Sequence, residues 1–423
     1  FWKAGLTGGG DGASGWFAPV AFVETAAESS ALSLAAPGGR PVLVMGKPSL
    51  GTKDGIVFYD RAPSSDVAFD GIVRLSSGEL PDGVDIANKL VVLNAGNDLS
   101  ETMAGIAGLA QHKPAAVLVA VADRASFDRV QKGFGRSRTT LAAQDGETTT
   151  GVMGFVIPET LQAILKAAGV SDIGVVRPAN GKIATRNAER AYTSYNVIAK
   201  LAGSDPQAGA VMFTGHWDHL GICRPEGAPD RICNGAVDNA SGIAVLIAVA
   251  KRLAKMGRFE RDIYFVATTS EEKGLLGAYA MAANPPVPLD RIVAAFNIDT
   301  IAIARRHSKV AIIGRGQTDL DPIIDHVART LGRSIDSSDE ANSFIRRQDG
   351  WALAQRGVPA LMVGGSFSDM KLLEAFLTGD YHGPGDELTD ATPLDGAAED
   401  ADLHVALGAY FADADVYEPK AKD

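Results

Sequence analysis

From Tyr195 onward, short and nearly continuous apolar runs alternate with stretches of helical periodicity, and this constrains the fold more than any other feature of the chain. Residues 210–214, 263–267, 292–298, 310–313 and 360–363 read as strands. Residues 239–256 carry Ile243, Leu246, Ile247, Ala250 and Leu253 on one helical face. Further helices are expected at 273–283, 322–331 and 401–412. Strands with no polar alternation are buried on both faces, and a parallel sheet between helical layers provides that burial. The expected fold is α/β, with a mostly parallel central sheet covered by helices on both faces and a smaller inserted domain.

The earlier part of the chain reads differently. A Gly-rich opening leads into an extended run at 16–23, and short apolar strands are expected at 41–45 and 56–59. A second block has strands at 90–93, 116–121 and 154–157 and helices at 101–111 and 158–168, the last opened by Pro158. This block holds a lone histidine, His112, and no carboxylate cluster. It reads as a binding or shielding module. Residues 177–190, polar with Pro and Gly, read as a return linker. The expected division is 1–40 as the first part of a catalytic domain, 41–185 as an insertion and 186–423 as the rest of the catalytic domain.

With 423 residues, 46% of them hydrophobic and 22% charged, the chain can build two or three cored domains. A net charge of -11 argues against nucleic acid as a partner, because phosphate binding needs a basic face. No apolar run approaches the roughly 18 residues that span a bilayer. The chain starts at Phe1 without Met and reads as processed or trimmed. With a signal peptide presumed removed, the expected location is periplasmic or secreted. Cys223 and Cys233 flank an irregular segment; they close a small loop disulfide, the favoured reading, or remain free thiols. The sequence leaves the oligomeric state open.

The polar residues at the strand ends are more specific. His216 and Asp218 end one apolar strand, and Asp238 comes next in a Gly-Ala-Val-Asp-Asn-Ala-Ser-Gly run. Glu271 and Glu272 end a second strand, Asp299 a third, and His382 comes late. Residues at the carboxyl ends of parallel strands converge from distant parts of a chain. Zinc takes imidazole nitrogen and carboxylate oxygen, and two ions roughly 3.5–4 Å apart share a bridging carboxylate and water. His216, Asp238, Asp299, Glu272 and His382 supply such a ligand set, with Glu271 left as a base. Three carboxylates against two divalent ions leave one positive charge, which a bridging hydroxide would neutralise. Asp218, two residues from His216, is placed to accept the other ring N–H and orient the imidazole. Each piece alone is weak: His-x-Asp pairs are commonly caps, and Glu-Glu pairs commonly solvated helix starts. Their order after successive strands carries the reading.

These motifs resemble the co-catalytic di-zinc exopeptidase family that includes bacterial leucyl aminopeptidases and glutamate carboxypeptidases. The matching text is Tyr195-Asn196-Val197-Ile198-Ala199 with Gly203-Ser204-Asp205-Pro206, then Gly215-His216-Trp217-Asp218-His219-Leu220-Gly221. It continues through Asn234 to Gly242, Ser270 to Gly277, Asn297-Ile298-Asp299 and Tyr381-His382. The resemblance implies a zinc-dependent aminopeptidase that removes N-terminal residues from peptides by metal-hydroxide attack. It implies two zinc ions: His216 and Asp299 on one, Glu272 and His382 on the other, Asp238 bridging. Glu271 would be the general base, and Tyr381 would help polarise the oxyanion or serve as a packed aromatic. Many relatives carry an inserted protease-associated domain, which 41–185 is similar to in pattern. The Arg347-Gln348-Asp349-Gly350-Trp351 segment departs from the family's Ser-Asp-His at Gln348 and Gly350.

Alternative functions are a carboxypeptidase or dipeptidase, a one-zinc glutaminyl cyclase of the same fold, or a non-catalytic binding protein. Arg346 and Arg347 would receive a substrate carboxylate in the first of these, or stand as an exposed basic pair. His219 is expected to be structural or, as the alternative, to support the metal ligands from behind; His307 is expected to be a solvated loop residue, and His326 and His404 helix residues for packing or the surface. Trp217 and Trp351 line a pocket or sit in the core.

Overall fold

The computed structural model describes residues 1–10, 15–35, 41–45, 54–60, 62–94, 99–134, 137–142, 151–205 and 207–419. It divides into two compact units, Phe1–Val20 with Thr193–Asp423, and Ala21–Tyr192. These divisions fall at 20/21 and 192/193, against the expected 40/41 and 185/186. Residues 36–40, before the expected first boundary, lie outside the described residues.

The larger unit is built on β1 (Arg177–Leu201, from Thr193 onward), β2 (Ala210–His216), β3 (Asp262–Thr268), β4 (Ile292–Asn297), β5 (Ala311–Ile313) and β6 (Ala360–Gly364). Their order is β5-β6-β4-β2-β3-β1. The four central strands are parallel, and β5 and β1 close the two edges antiparallel. Register explains the continuous apolar runs. Val211, Phe213, Ile263, Phe265 and Phe296 point into one core, against α1 (Gly242–Met256), α3 (Asp321–Thr330) and α5 (Leu394–Ala412). Met212, Tyr264, Val266 and Ala295 point into the other, against α2 (Leu276–Ala283) and α4 (Gly350–Ala354). Each strand is thus buried on both sides, as its composition required. Phe213 stacks on Phe265 at 5.4 Å between ring centres, tying adjacent strands together.

The chain leaves β2 through α1 to β3 on one side, and then returns through α2 to β4 on the other side of β2. Such a switch point opens a crevice at the carboxyl ends of the strands. His216 is the last residue of β2, aligned with Thr268 of β3.

The Ala21–Tyr192 unit has its own sheet. Strands Ser64–Leu75, Leu90–Asn94, Ala116–Ala120 and Val152–Val156 are parallel neighbours in that order, and Ile56–Tyr59 caps the edge antiparallel. Helices Leu99–Ala110, Arg124–Phe134 and Pro158–Ala168 accompany it. The 177–190 linker reading is corrected: these residues belong to the strand Arg177–Leu201, paired antiparallel with Ser64–Leu75. Its side chains are largely exposed, so no apolar alternation marks it. Lys182 and Arg186 instead pair with Asp66 across the ladder.

Candidate active site

The site is assembled at the carboxyl ends of β2, β3 and β4. His216 is buried, and its Nδ1 lies 2.9 Å from the Asp218 carbonyl oxygen. That contact turns Nε2 toward the acids: 3.1 Å from Asp238 Oδ1, 3.6 Å from Asp299 Oδ2 and 3.9 Å from Glu271 Oε2. The expectation for Asp218 needs correction. Its backbone carbonyl, not its carboxylate, orients the imidazole. The carboxylate accepts the N–H groups of Glu271 (3.0 Å) and Glu272 (3.4 Å) and so holds the paired glutamates in place. Its two oxygens let one side chain take two donors from the tight turn after β3.

That turn begins at Ser270 in the left-handed region (φ 57°) and continues as a short 3-10 turn, Glu271–Lys273. Thr300, after Asp299, and His382 share left-handed backbone (φ 53° and 55°). Non-glycine residues in this region cost roughly 1 kcal/mol or more each, and three such positions next to the acids and imidazoles mark a site held by its surroundings. Asn196 braces the glutamate turn, donating to Gly277 O and accepting from Thr269 N–H.

Asp238 lies in the turn Ala236–Ser241, where its backbone is not helical; α1 starts at Gly242, not at 239. Its peptide bond to Asn239 is cis. Asp386 accepts the N–H groups of Val237 and Asp238 at 2.7 and 3.1 Å. Asn239 donates to Ile298 O and accepts from Gly242 and Thr300 N–H, pinning this turn to the Asp299 turn. A Cβ at Gly242 would overlap Asn239 Oδ1, so only glycine permits the brace.

The two oxygens of Asp238 face opposite ways. Oδ1 meets His216, and Oδ2 lies 3.3 Å from His382 Nε2. His382 Nε2 is also 2.9 Å from Glu272 Oε2, and Tyr381 stacks on the His382 ring at 3.7 Å. The residues therefore form two groups around one shared carboxylate: His216, Asp238 and Asp299; and Asp238, Glu272 and a histidine. His219 joins the second group, with Nδ1 2.5 Å from Glu272 Oε1. The expectation for His219, a structural role or support of the ligands from behind, did not include this direct approach to Glu272. The available signal was its place three residues after His216, just beyond the same strand end.

The donor set suits divalent cations. His219 Nδ1, Glu272 Oε1 and His382 Nε2 are buried and make no hydrogen bond of acceptable geometry, despite their close approach. Close approach of nitrogen and oxygen lone-pair atoms without hydrogen-bond geometry is what ligands grouped around a cation present. Burial alone would raise the Asp238 carboxyl, but the imidazoles of His216 and His382 outweigh it and hold it well below the usual carboxylate range. Burial pushes Glu271 up to about 10, against the pull of His216, with Asp299, Asp349 and Glu272 adding repulsion. Burial likewise carries Asp349 to about 7; it accepts a hydrogen bond from Thr268. A concentration of carboxylates this dense is what bound cations would neutralise.

An adjoining pocket is lined by the acids Asp238, Glu271 and Asp299, by the apolar Phe344, Met362, Phe367, Leu373 and Leu377, and by Arg347 and Tyr381. Arg346 and Arg347 differ in placement: Arg347 belongs to this pocket, whereas Arg346 lies over Trp351. Trp217 is exposed and donates to Tyr195 O, so it is not part of the core. His307 is exposed beside Glu399, His326 is exposed and His404 is fully buried. Cys223 and Cys233 are joined in a disulfide that staples the loop after β2.

Comparison with known proteins agrees with the strand-end cluster. Residues 196–403 match peptidase family M28. A vacuolar membrane protease of Candida glabrata is 31% identical over 94 residues, which take in 22% of this chain and 9% of that protein. A probable zinc metalloprotease of Pyrenophora teres f. teres is 32% identical over 105 residues, 25% of this chain and 22% of that one. The chain thus aligns with less than a quarter of the length of either relative. An aminopeptidase from Aneurinibacillus sp. strain AM-1 shares the fold, with a TM-score of 0.53 and 17% identity over 97% of this chain and 85% of that one. The expected periplasmic or secreted location is overturned by the fungal relatives, which are named vacuolar membrane proteases. Among the described residues, no helix is long and apolar enough to cross a membrane. The part of the chain that matches peptidase family M28, residues 196–403, is the segment that holds every acid and imidazole of the cluster.

Proposed function

We propose that this chain is a two-zinc aminopeptidase, in which His216 and Asp299 hold one ion, Glu272 and His382 the other, and Asp238 bridges them. The observation that carries this reading is the opposed placement of the two Asp238 oxygens, one toward His216 and one toward His382. When bound, the ions supply Lewis acidity at the scissile carbonyl and at the attacking water. Glu271 takes the proton from that water and gives it to the leaving amine. Its carboxylate faces the shared centre, 3.9 Å from His216 Nε2. Asp218 and Asp386 hold the turns that present Glu271 and Asp238. Tyr381, on the pocket wall, donates to the developing oxyanion. The inserted unit is read as a protease-associated-type domain.

The carboxylates that line the pocket suit a free α-amine, and its apolar lining suits a hydrophobic side chain. Arg347 on the same pocket supports a second reading, a carboxypeptidase or dipeptidase, because a guanidinium pairs bidentately with a carboxylate. A panel of aminoacyl chromogenic substrates and amine-blocked dipeptides, assayed with zinc and after chelation, separates them. The expected result is zinc-dependent cleavage only where the amine is free. Cleavage of amine-blocked dipeptides rejects the aminopeptidase reading, and cleavage that survives complete chelation rejects the metal chemistry.

A further inference from the structure

We infer that His219 is an additional protein ligand of the Glu272–His382 metal position, so that the two positions are unequal and that one fills first. The inference rests on the two-zinc reading and goes beyond its ligand set. The side chain of His219 is 8% exposed, and its Nδ1 sits 2.5 Å from Glu272 Oε1. One ligand atom each from His219, Asp238 and Glu272 lies within 4.8 Å of the others. Among the described residues neither ring nitrogen has a hydrogen-bond partner of good geometry, the short Glu272 contact included. A buried imidazole left so costs about 1–3 kcal/mol unless another partner meets its lone pair. The ring cannot swing away freely. Gly235, in left-handed backbone (φ 66°), packs against it, and a Cβ there would lie 2.5 Å from His219 Cγ. On the other side the ring of His382 approaches edge-on at 5.7 Å.

The consequence is an asymmetry. One position is offered Asp238, Glu272, His382 and His219; the other Asp238, His216 and Asp299. Zinc sites closed by four protein ligands are the retentive kind, while three ligands leave room for water or substrate. A neutral imidazole also adds a donor without adding negative charge, so the charge balance of three carboxylates against two ions is unchanged. The position with His219 therefore retains its ion, and the position with His216 and Asp299 is the open one.

The test uses the whole chain, stripped of metal and titrated with zinc. X-ray absorption at the first equivalent counts imidazoles on the ion without reference to activity. Two imidazoles are expected, from His219 and His382; a single imidazole overturns the inference while leaving the two-zinc reading standing if a second ion still binds. Binding of one ion in total overturns both. In His219→Ala, competition with a chromogenic chelator is expected to show first-zinc affinity lowered by more than about 100-fold, beyond the range for loss of an outer hydrogen-bond partner. An unchanged first affinity overturns the inference. Because the count on the unmutated chain needs no variant, misfolding of His219→Ala leaves the first measurement decisive.

Discussion

The two units share an architectural plan and differ in how the chain turns at the ends of their strands. In Ala21–Tyr192, Ala120 ends a parallel strand and Asp123 comes soon after, but its carboxylate accepts the Ser126 N–H at 2.7 Å and caps the helix Arg124–Phe134. Val156 runs into Ile157 and Pro158, which open a helix directly. In the other unit Glu271, Asp299 and Asp238 are kept from capping. Their turns contain left-handed or non-helical backbone, and Asp218, Asp386 and Asn239 satisfy the neighbouring N–H groups in their stead. A strand-end carboxylate becomes available for chemistry when other side chains meet the local backbone donors. The parallel sheet provides the place, and the braces provide the function.

That contrast is tested most severely at Glu271. Glu271→Gln should lower kcat by about 10³-fold, the range for a general base, while metal analysis still finds two zinc ions per chain. Full turnover in this variant breaks the mechanism. The inserted unit should respond in the opposite manner. Phe155 is fully buried there, and Phe155→Ala should cost that unit about 3–5 kcal/mol in calorimetry. Zinc stoichiometry should not change, and a loss of zinc in this variant would remove the division of labour.

A third test sharpens the comparison within the catalytic unit, between imidazoles that face the acids and one that does not. Burial lowers His404 to about 4, reinforced by Arg333 and opposed by the Asp400 carbonyl. The unfolded chain takes up a proton near 6.5, whereas the folded imidazole resists until about 4. Folding stability tied to His404 is therefore complete above pH 6.5 and is lost as pH falls toward 4, by about 3 kcal/mol in all. Asp400, raised by burial to about 6, titrates in the opposite sense over much of this range. Comparing His404→Leu with the parent protein isolates the histidine contribution. Identical pH slopes of the denaturation midpoint would sink this account.

The smallest effect is expected at the brace. Asp218→Ala leaves every proposed ligand in place but removes the acceptor for the Glu271 and Glu272 N–H groups. Turnover should fall by about 10- to 100-fold with little change in KM. A variant with the parent kcat would show that the glutamate turn holds itself.

Much of the catalytic unit was legible in the chain because its signals are local. Two-sided burial leaves unbroken apolar runs, so the four central strands are visible within a residue or two. His216, Glu271, Glu272 and Asp299 each stand at or shortly after such a run, Asp238 was legible through the Gly-Ala-Val-Asp-Asn-Ala-Ser-Gly run that holds it, and His382 only through its pairing with Tyr381 late in the chain. The strand Arg177–Leu201 was not legible over its first half, since its faces there are largely exposed and it is held by a partner strand far away in sequence. Asp218 was assigned to the correct neighbourhood and the wrong atoms, because a dipeptide spacing does not tell a carbonyl from a carboxylate. His219 was undervalued, because its partner Glu272 arrives from another strand.

Residue type and strand-end position, written into the chain, determined that it could gather imidazoles and carboxylates suited to divalent cations at one edge of the sheet. Only the folded sheet decided which oxygen of Asp238 faces which histidine, what holds the glutamate turn, and that His219 stands with the acids. Periodicity reports burial, which is a property of one segment; coordination depends on distances between segments, and those exist only once β2, β3 and β4 lie side by side.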